Sequence, residues 1–162
     1  MEAVAFSAGD GDQAARYAEL VPQLAALVDG EPDLVANLAN AAAAIRACVP
    51  AASWVGFYVM RGGELVLGPF QGNVACVRIA MGRGVCGTAA AERRVVIVPD
   101  VEQFPGHIAC DAGSRSEIVV PIVVGDRLVA VLDLDSYAVA AFDEVDAAGL
   151  APVAALLGTL AW

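Results

Sequence analysis

Hydrophobic positions recur with a helical period at the two ends of the chain and with a strand period between them. Tyr17, Leu20, Val21, Leu24, Leu27 and Val28 share one face of a predicted helix that ends near Gly30. Pro22 lies inside that helix and is expected to kink it. A second helix is predicted from about Asp33, with Leu34, Val35, Leu38, Ala41, Ala42, Ile45 and Cys48 on one side, and Pro50 ends it. Then the period changes. Trp54 to Met60, Glu64 to Phe70, Ala75 to Ala80, Val95 to Val98, Glu117 to Val124 and Arg127 to Asp135 read as six strands. Arg61-Gly62-Gly63 and Gly125-Asp126 are tight-turn sequences, so the strands flanking each are antiparallel. Several strands are apolar at consecutive positions, so both faces of the sheet must be covered. Pro121 counts against a central place for its strand, or marks a bulge there. A last helix starts at the N-cap Asp143 and carries Val145, Gly149, Val153, Leu156 and Leu160 at helical spacing. Phe142 and Ala147 are placed as a hydrophobic staple, and Pro152 should bend the helix. The expected architecture is α+β: one domain over residues 13–162, a six-stranded antiparallel sheet with helices packed on it, after a flexible tail over residues 1–12.

Composition narrows the setting. The 162 residues are 59% hydrophobic and 17% charged, enough apolar content for one core. No apolar run approaches the roughly 18 residues of a membrane span. The opening MEAVAFSAGDGD has neither a basic start nor an apolar block, so a cytoplasmic protein is expected. A net charge of -10 repels phosphate backbones and argues against nucleic acid as a partner. In that compartment the four cysteines, Cys48, Cys76, Cys86 and Cys110, point to redox chemistry, metal binding or burial rather than a disulfide scaffold.

Two stretches carry the candidate chemistry: MGRGVCGTAAAE from Met81 and FPGHIACDAGSRSEIVVP from Phe104. The first holds a literal G-x-G-x-x-G at Gly82, Gly84 and Gly87, with Asp100 beyond. The helix available between Thr88 and Arg93 is too short for a dinucleotide crossover, and hairpins follow it rather than a second βαβ unit. The alternative is a glycine loop before a helix capped by Thr88, whose N-terminus would lower the pKa of Cys86. Asp133 and Asp135 are two residues apart on one strand face, with Val129 and Val131 continuing that face. Counted back from the Gly125-Asp126 turn, Glu117 falls opposite about residue 134, beside both aspartates. Three converging carboxylates would hold at least one proton near neutrality. A cysteine beside a neutral carboxylic acid suits attack on a sulfoxide, whose departing oxygen must be protonated. The resulting sulfenic acid would condense with a second cysteine. Cys48 belongs to a helix face and reads as core. His107 reads first as a loop hydrogen-bonding residue, and Trp54 as core or as the wall of a small apolar pocket. Zinc on Cys76, Cys86, Cys110 and His107 lacks any C-x-x-C pair, so no metal is expected.

WVGFY, LGPFQG, ACVRI, GRGVCGTAA, FPGHIACDA, SRSEIVVP and VLDLDS, in this order, resemble the free methionine-R-sulfoxide reductases, from about Tyr17 to the C-terminus. The resemblance implies a GAF fold, a homodimer and reduction of the free amino acid by a cysteine nucleophile, with thioredoxin supplying electrons and no cofactor. It implies Cys110 as nucleophile, Cys76 as resolving partner and Cys86 as a third redox cysteine, an alternative partner. Glu117, Asp133 and Asp135 are implied to hold and protonate the sulfoxide oxygen or to hold the ammonium. Trp54 and Tyr58 are implied to wall the side chain, and backbone amides near Ala109 and Cys110 to take the carboxylate. A small-molecule sensor without turnover and a thiol redox switch are the alternatives.

Overall fold

The computed structural model describes residues 11–162, so most of the expected tail lies outside the described residues. Helix α1 spans Gln13–Val28 and α2 spans Leu34–Cys48. An aspartate starts each: Asp12 accepts from the Ala15 amide at 2.8 Å and Asp33 from the Ala36 amide at 2.8 Å. Such bonds satisfy first-turn amides that have no partner within the helix. α1 continues through Pro22. Strands β1 (Trp54–Arg61), β2 (Glu64–Gln71) and β3 (Arg78–Ala80) follow, then α3 (Gly84–Glu92), β4 (Val96–Val98) and a 3-10 turn at Val101–Gln103. β5 (Ser116–Val124), β6 (Arg127–Ser136) and α4 (Glu144–Leu157) complete the domain. The sheet order is β3-β2-β1-β6-β5-β4, and every neighbouring pair is antiparallel. This is the expected α+β sheet. The third strand is shorter than its apolar run suggests, because residues 75–77 lie in the loop that carries Cys76.

The two faces of the sheet are covered differently. Leu20, Leu24, Leu38, Ile45 and Leu150 of the long helices pack on Val55, Phe57, Ile118, Leu132 and Leu134. Full burial of each large aliphatic side chain is worth roughly 1.5–3 kcal/mol, so this face holds most of the stability. Cys48 belongs to it, as its helical position predicts. On the other face a smaller cluster, including Tyr58, Val96, Val119 and Val131, sits under α3 and the loops.

Pro121 lies on an inner strand, yet the objection to it is met. β4 pairs only with residues 117–119 of β5, so Pro121 has a strand on one side alone. A bulge sits next to it. Val123 pairs with Leu128 and Ile122 with Ala130, which leaves Val129 as the extra residue of β6. Val129 therefore packs with the helical core, and the expectation that it shares a face with Asp133 is corrected.

α4 begins with a capping box: the Asp143 carboxylate accepts from the Asp146 amide, and the Asp143 amide donates to Asp146 Oδ2 at 2.8 Å. Asp146 is buried, and its other oxygen accepts from Tyr17 Oη at 2.6 Å. That bond locks α1 to α4. Gly149 lies where the Tyr17 ring crosses α4, and a Cβ there would sit 2.2 Å from Tyr17 Cγ. Alanine favours the helix by roughly 1 kcal/mol, but overlap with the fixed root of a ring costs roughly 1–3 kcal/mol. Overlap wins. Gly149→Ala should therefore lower the urea unfolding midpoint, where propensity alone would raise it.

Candidate active site

Strand register assembles the site. Trp54 of β1 pairs with Asp135 of β6, which pairs with Glu117 of β5. One step along, Gly56 pairs with Asp133, which pairs with Val119. Alternation sends these residues to the smaller face of the sheet, while Val55, Leu134 and Ile118 go to the helical core. The bulge at Val129 decides this. Without it Glu117 would pair with residue 134, as counting from the turn suggests, and would point to the opposite face. The true partner is Asp135.

Trp54, Tyr58, Cys86, His107, Cys110, Glu117, Asp133 and Asp135 line one cavity of about 40 Å³. The Trp54 ring stacks on Phe70 at 5.3 Å and Tyr58 at 6.1 Å, and its indole N–H donates to Asn73 O at 3.0 Å. Gly56 leaves room for the indole, since a Cβ there would lie 2.4 Å from it. Tyr58 Oη donates to the carbonyl of Cys76 at 3.0 Å. The cavity thus has an aromatic wall and an acidic floor.

The acids are buried together, and that sets their protonation. Burial raises the pKa of Asp133 to about 6, against which hydrogen bonds from Glu117 and Cys86 favour its charged form. Glu117 is raised well above the usual carboxylate range, first by burial and then by Asp133 and Asp135. Asp135 is raised likewise by burial, then by Asp133 and Asp111, with a Ser114 hydrogen bond opposing. Asp133 is therefore the first to ionise, and the other two keep their protons longer. Asp133 Oδ1 is buried with no hydrogen-bond partner.

Cys86 corrects an expectation. α3 begins at Gly84, not at Thr88, whose hydroxyl donates back to Gly84 O at 2.6 Å. Cys86 occupies the first turn, where the helix end lowers a thiol pKa. Burial and the charges of Asp133, Glu117 and Asp135 outweigh it, and the thiol is raised well above its ordinary value. Its Sγ lies 3.8 Å from Glu117 Oε1. The glycines around it have local duties: Gly82 and Gly84 take positive φ, and a Cβ on Gly87 would lie 2.4 Å from Ala80 O. With an antiparallel sheet throughout, the dinucleotide reading has no crossover to rest on.

Cys76 and Cys110 form a disulfide, with Cα atoms 5.3 Å apart. Zinc on Cys76, Cys86, Cys110 and His107 is excluded in this form, since two of the three sulfurs are bonded to each other. Ala109 is exposed and outside the cavity lining, and the Cys110 amide donates to Ile108 O at 3.0 Å. His107, set aside in the sequence, reaches it: Nε2 stands 3.8 Å from Glu117 Oε2, and burial lowers its pKa, so it is neutral at pH 7. Sequence reasoning also missed the residues that hold the two cysteine loops together. Asp111 Oδ2 accepts from Tyr137 Oη at 3.0 Å and from Asn73 Nδ2 at 3.4 Å, while Asn73 Nδ2 also reaches Tyr137 Oη at 3.0 Å. Asp111 Oδ1 accepts from the Gly113 amide at 2.9 Å. Their polar, exposed character carried no signal, because side chains of this kind fill any surface.

A family model described as "GAF domain" matches residues 28–160, which defines the class of the fold. Free methionine-R-sulfoxide reductase of Escherichia coli (strain K12) is 48% identical over 141 residues, covering 87% of this chain and 86% of that protein. The X-ray structure of free methionine-R-sulfoxide reductase from Neisseria meningitidis in complex with its substrate superposes with a TM-score of 0.91 at 50% identity. That match covers 98% of this chain and 94% of the other. A putative GAF sensor protein from Burkholderia vietnamiensis superposes at 0.90 with 50% identity, covering 94% and 97% of the two chains. The chain belongs to the free methionine-R-sulfoxide reductase family of GAF domains.

Two predictions follow from the acids and the loops. A carboxyl group with a higher pKa folded than unfolded keeps its proton after the unfolded chain has lost it, so its contribution to stability falls as pH rises between the two values. For Asp133 that window runs from the ordinary carboxylate range to about 6, and for Glu117 it extends higher. Glu117→Gln has no proton to lose, so its unfolding free energy should gain on the wild type as pH rises above the ordinary carboxylate range. A difference constant with pH would refute the buried acid. Asp111→Ala removes three loop bonds at once. In redox titration with dithiothreitol the Cys76–Cys110 bond should then be reduced at several-fold lower reductant, and Tyr137→Phe should shift it less.

Proposed function

We propose that the protein reduces free L-methionine-(R)-S-oxide to L-methionine, with Cys110 as nucleophile and thioredoxin as the final reductant. The observation that carries this reading is that the Cys110 side chain and the three buried acids line the same small cavity, with Cys110 bonded to Cys76. Family membership supports it, as does the neighbour solved with its substrate.

The chemistry follows from the protonation pattern. Asp133, the first acid to ionise, has a free buried oxygen suited to the substrate's ammonium. Glu117 and Asp135 retain protons and suit the sulfoxide oxygen, which must be protonated as it leaves sulfur. Trp54 and Tyr58 wall the apolar side chain. Arg83, the guanidinium in the lining, faces a carboxylate better than the engaged Cys110 amide does. Cys110 sulfur attacks the sulfoxide sulfur, the S–O bond passes its oxygen to Cys110, and methionine leaves with Cys110 as sulfenic acid. The Cys76 thiol then displaces that oxygen as water and the disulfide forms. A thioredoxin dithiol restores both thiols and becomes a disulfide itself. Cys86 takes no part in this sequence.

The test is NADPH oxidation coupled through thioredoxin and its reductase. The wild type should consume NADPH only with the R sulfoxide of the free amino acid. Cys110→Ser should yield no methionine even in a single turnover. Cys76→Ser should yield one methionine per chain and then stall until a small thiol is added. Turnover by Cys110→Ser would overturn the assignment. A sensor would bind the sulfoxide without NADPH oxidation, and a redox switch would form the disulfide with peroxide but gain nothing from substrate.

A further inference from the structure

Cys86 is a buried thiol that the reaction above leaves unused, and its surroundings suit something other than a proton. Its Sγ, one oxygen of Glu117 and one of Asp133 all lie within 4.8 Å of one another, and all three residues are buried. Sγ stands 3.8 Å from Glu117 Oε1, and His107 Nε2 stands 3.8 Å from the other oxygen of the same carboxyl group. In a tetrahedral zinc site, bonds of about 2.0–2.3 Å put neighbouring donors about 3.3–3.6 Å apart. The spacing from Cys86 Sγ to Glu117 Oε1 is within a few tenths of an ångström of that. Asp133 Oδ1 supplies the independent sign: it is a buried oxygen in the cavity lining with no donor to satisfy it. Buried carboxylate oxygens are costly to leave so, and a bound cation meets the need.

The donor set selects the ion. One thiolate and two carboxylates suit borderline ions such as zinc or cobalt(II). Calcium and magnesium demand oxygen donors in greater number, and copper(I) prefers sulfur alone. A cavity of about 40 Å³ takes such an ion with its residual water.

We propose that this cavity is a binding site for one zinc-class divalent cation, held by Cys86, Glu117 and Asp133 with water in the remaining position, in competition with any amino acid that enters it. On binding, the cation takes the place of the Cys86 thiol proton and of whatever protons the two carboxyl groups hold, and these pass to solvent. The Cys76–Cys110 disulfide does not enter the site, so oxidised protein binds as described. The inference stands on donor geometry and does not rest on the reductase reading.

Oxidised protein titrated with cobalt(II) alone is the test. In this form Cys48 and Cys86 are the free thiols, and Cys48 lies in the opposite layer. The expected result is a near-ultraviolet sulfur-to-cobalt charge-transfer band saturating at one cobalt per chain, displaced by zinc, with affinity rising with pH. Cys48→Ala should keep the band, Cys86→Ser should lose it, and Asp133→Asn should weaken binding at least tenfold. Absence of the band in folded Cys48→Ala overturns the proposal without needing the Cys86 variant to fold. A band that persists in Cys86→Ser overturns it equally. Failure of the NADPH assay would leave this result untouched.

Discussion

Three carboxyl groups buried side by side on a sheet face are the constraint from which the rest of this site follows. Glu117, Asp133 and Asp135 cannot all ionise in so little water, so protons stay with them that free carboxyl groups would have lost. The same field raises Cys86, overruling the helix end on which that thiol sits. It also leaves Asp133 with an oxygen that nothing in the protein satisfies. Such a cluster is unfavourable for folding by itself. It persists because the opposite face of the same strands buries Val55, Ile118, Leu132 and Leu134 beneath three helices.

One extra residue brings the acids together. Strand alternation is strict, so a shift of one residue sends every side chain of a strand to the other face. β6 absorbs Val129 as a bulge, and the pairing beyond it moves from residue 134 to Asp135 opposite Glu117. Catalytic geometry and core packing are thus set by one irregularity, placed just beyond the end of β4 where the ladder has a partner on one side only.

The sulfur chemistry depends on a different kind of structure. Cys76 and Cys110 come from loops, and neither loop has a ladder to hold it. Their meeting is arranged by Tyr58 Oη on the Cys76 carbonyl and by Asn73, Asp111 and Tyr137 at the surface. Surface bonds of this sort are individually weak. A rigid sheet holds the acids and yielding loops carry the sulfurs, so the two halves of the proposed reaction have different mechanical requirements met by different parts of the fold.

The element order, the antiparallel hairpins, the Asp143 cap and the two-sided burial of the sheet were all legible along the chain, since each depends on neighbours a few residues apart. So was the pairing of Asp133 with Asp135, which needs only the two-residue period of a strand. The face on which Glu117 lies was not legible, because a bulge leaves no mark in a run of valines and isoleucines. The start of α3 at Gly84, the raised thiol of Cys86, the reach of His107 to Glu117 and the Asn73–Asp111–Tyr137 bonds were hidden for a related reason. Burial, charge coupling and loop contact are properties of residues distant in sequence. By itself the sequence determined which residues of this protein could do chemistry. Only the tertiary structure decided which of them meet, and in what state of protonation, because both depend on the water that folding removes.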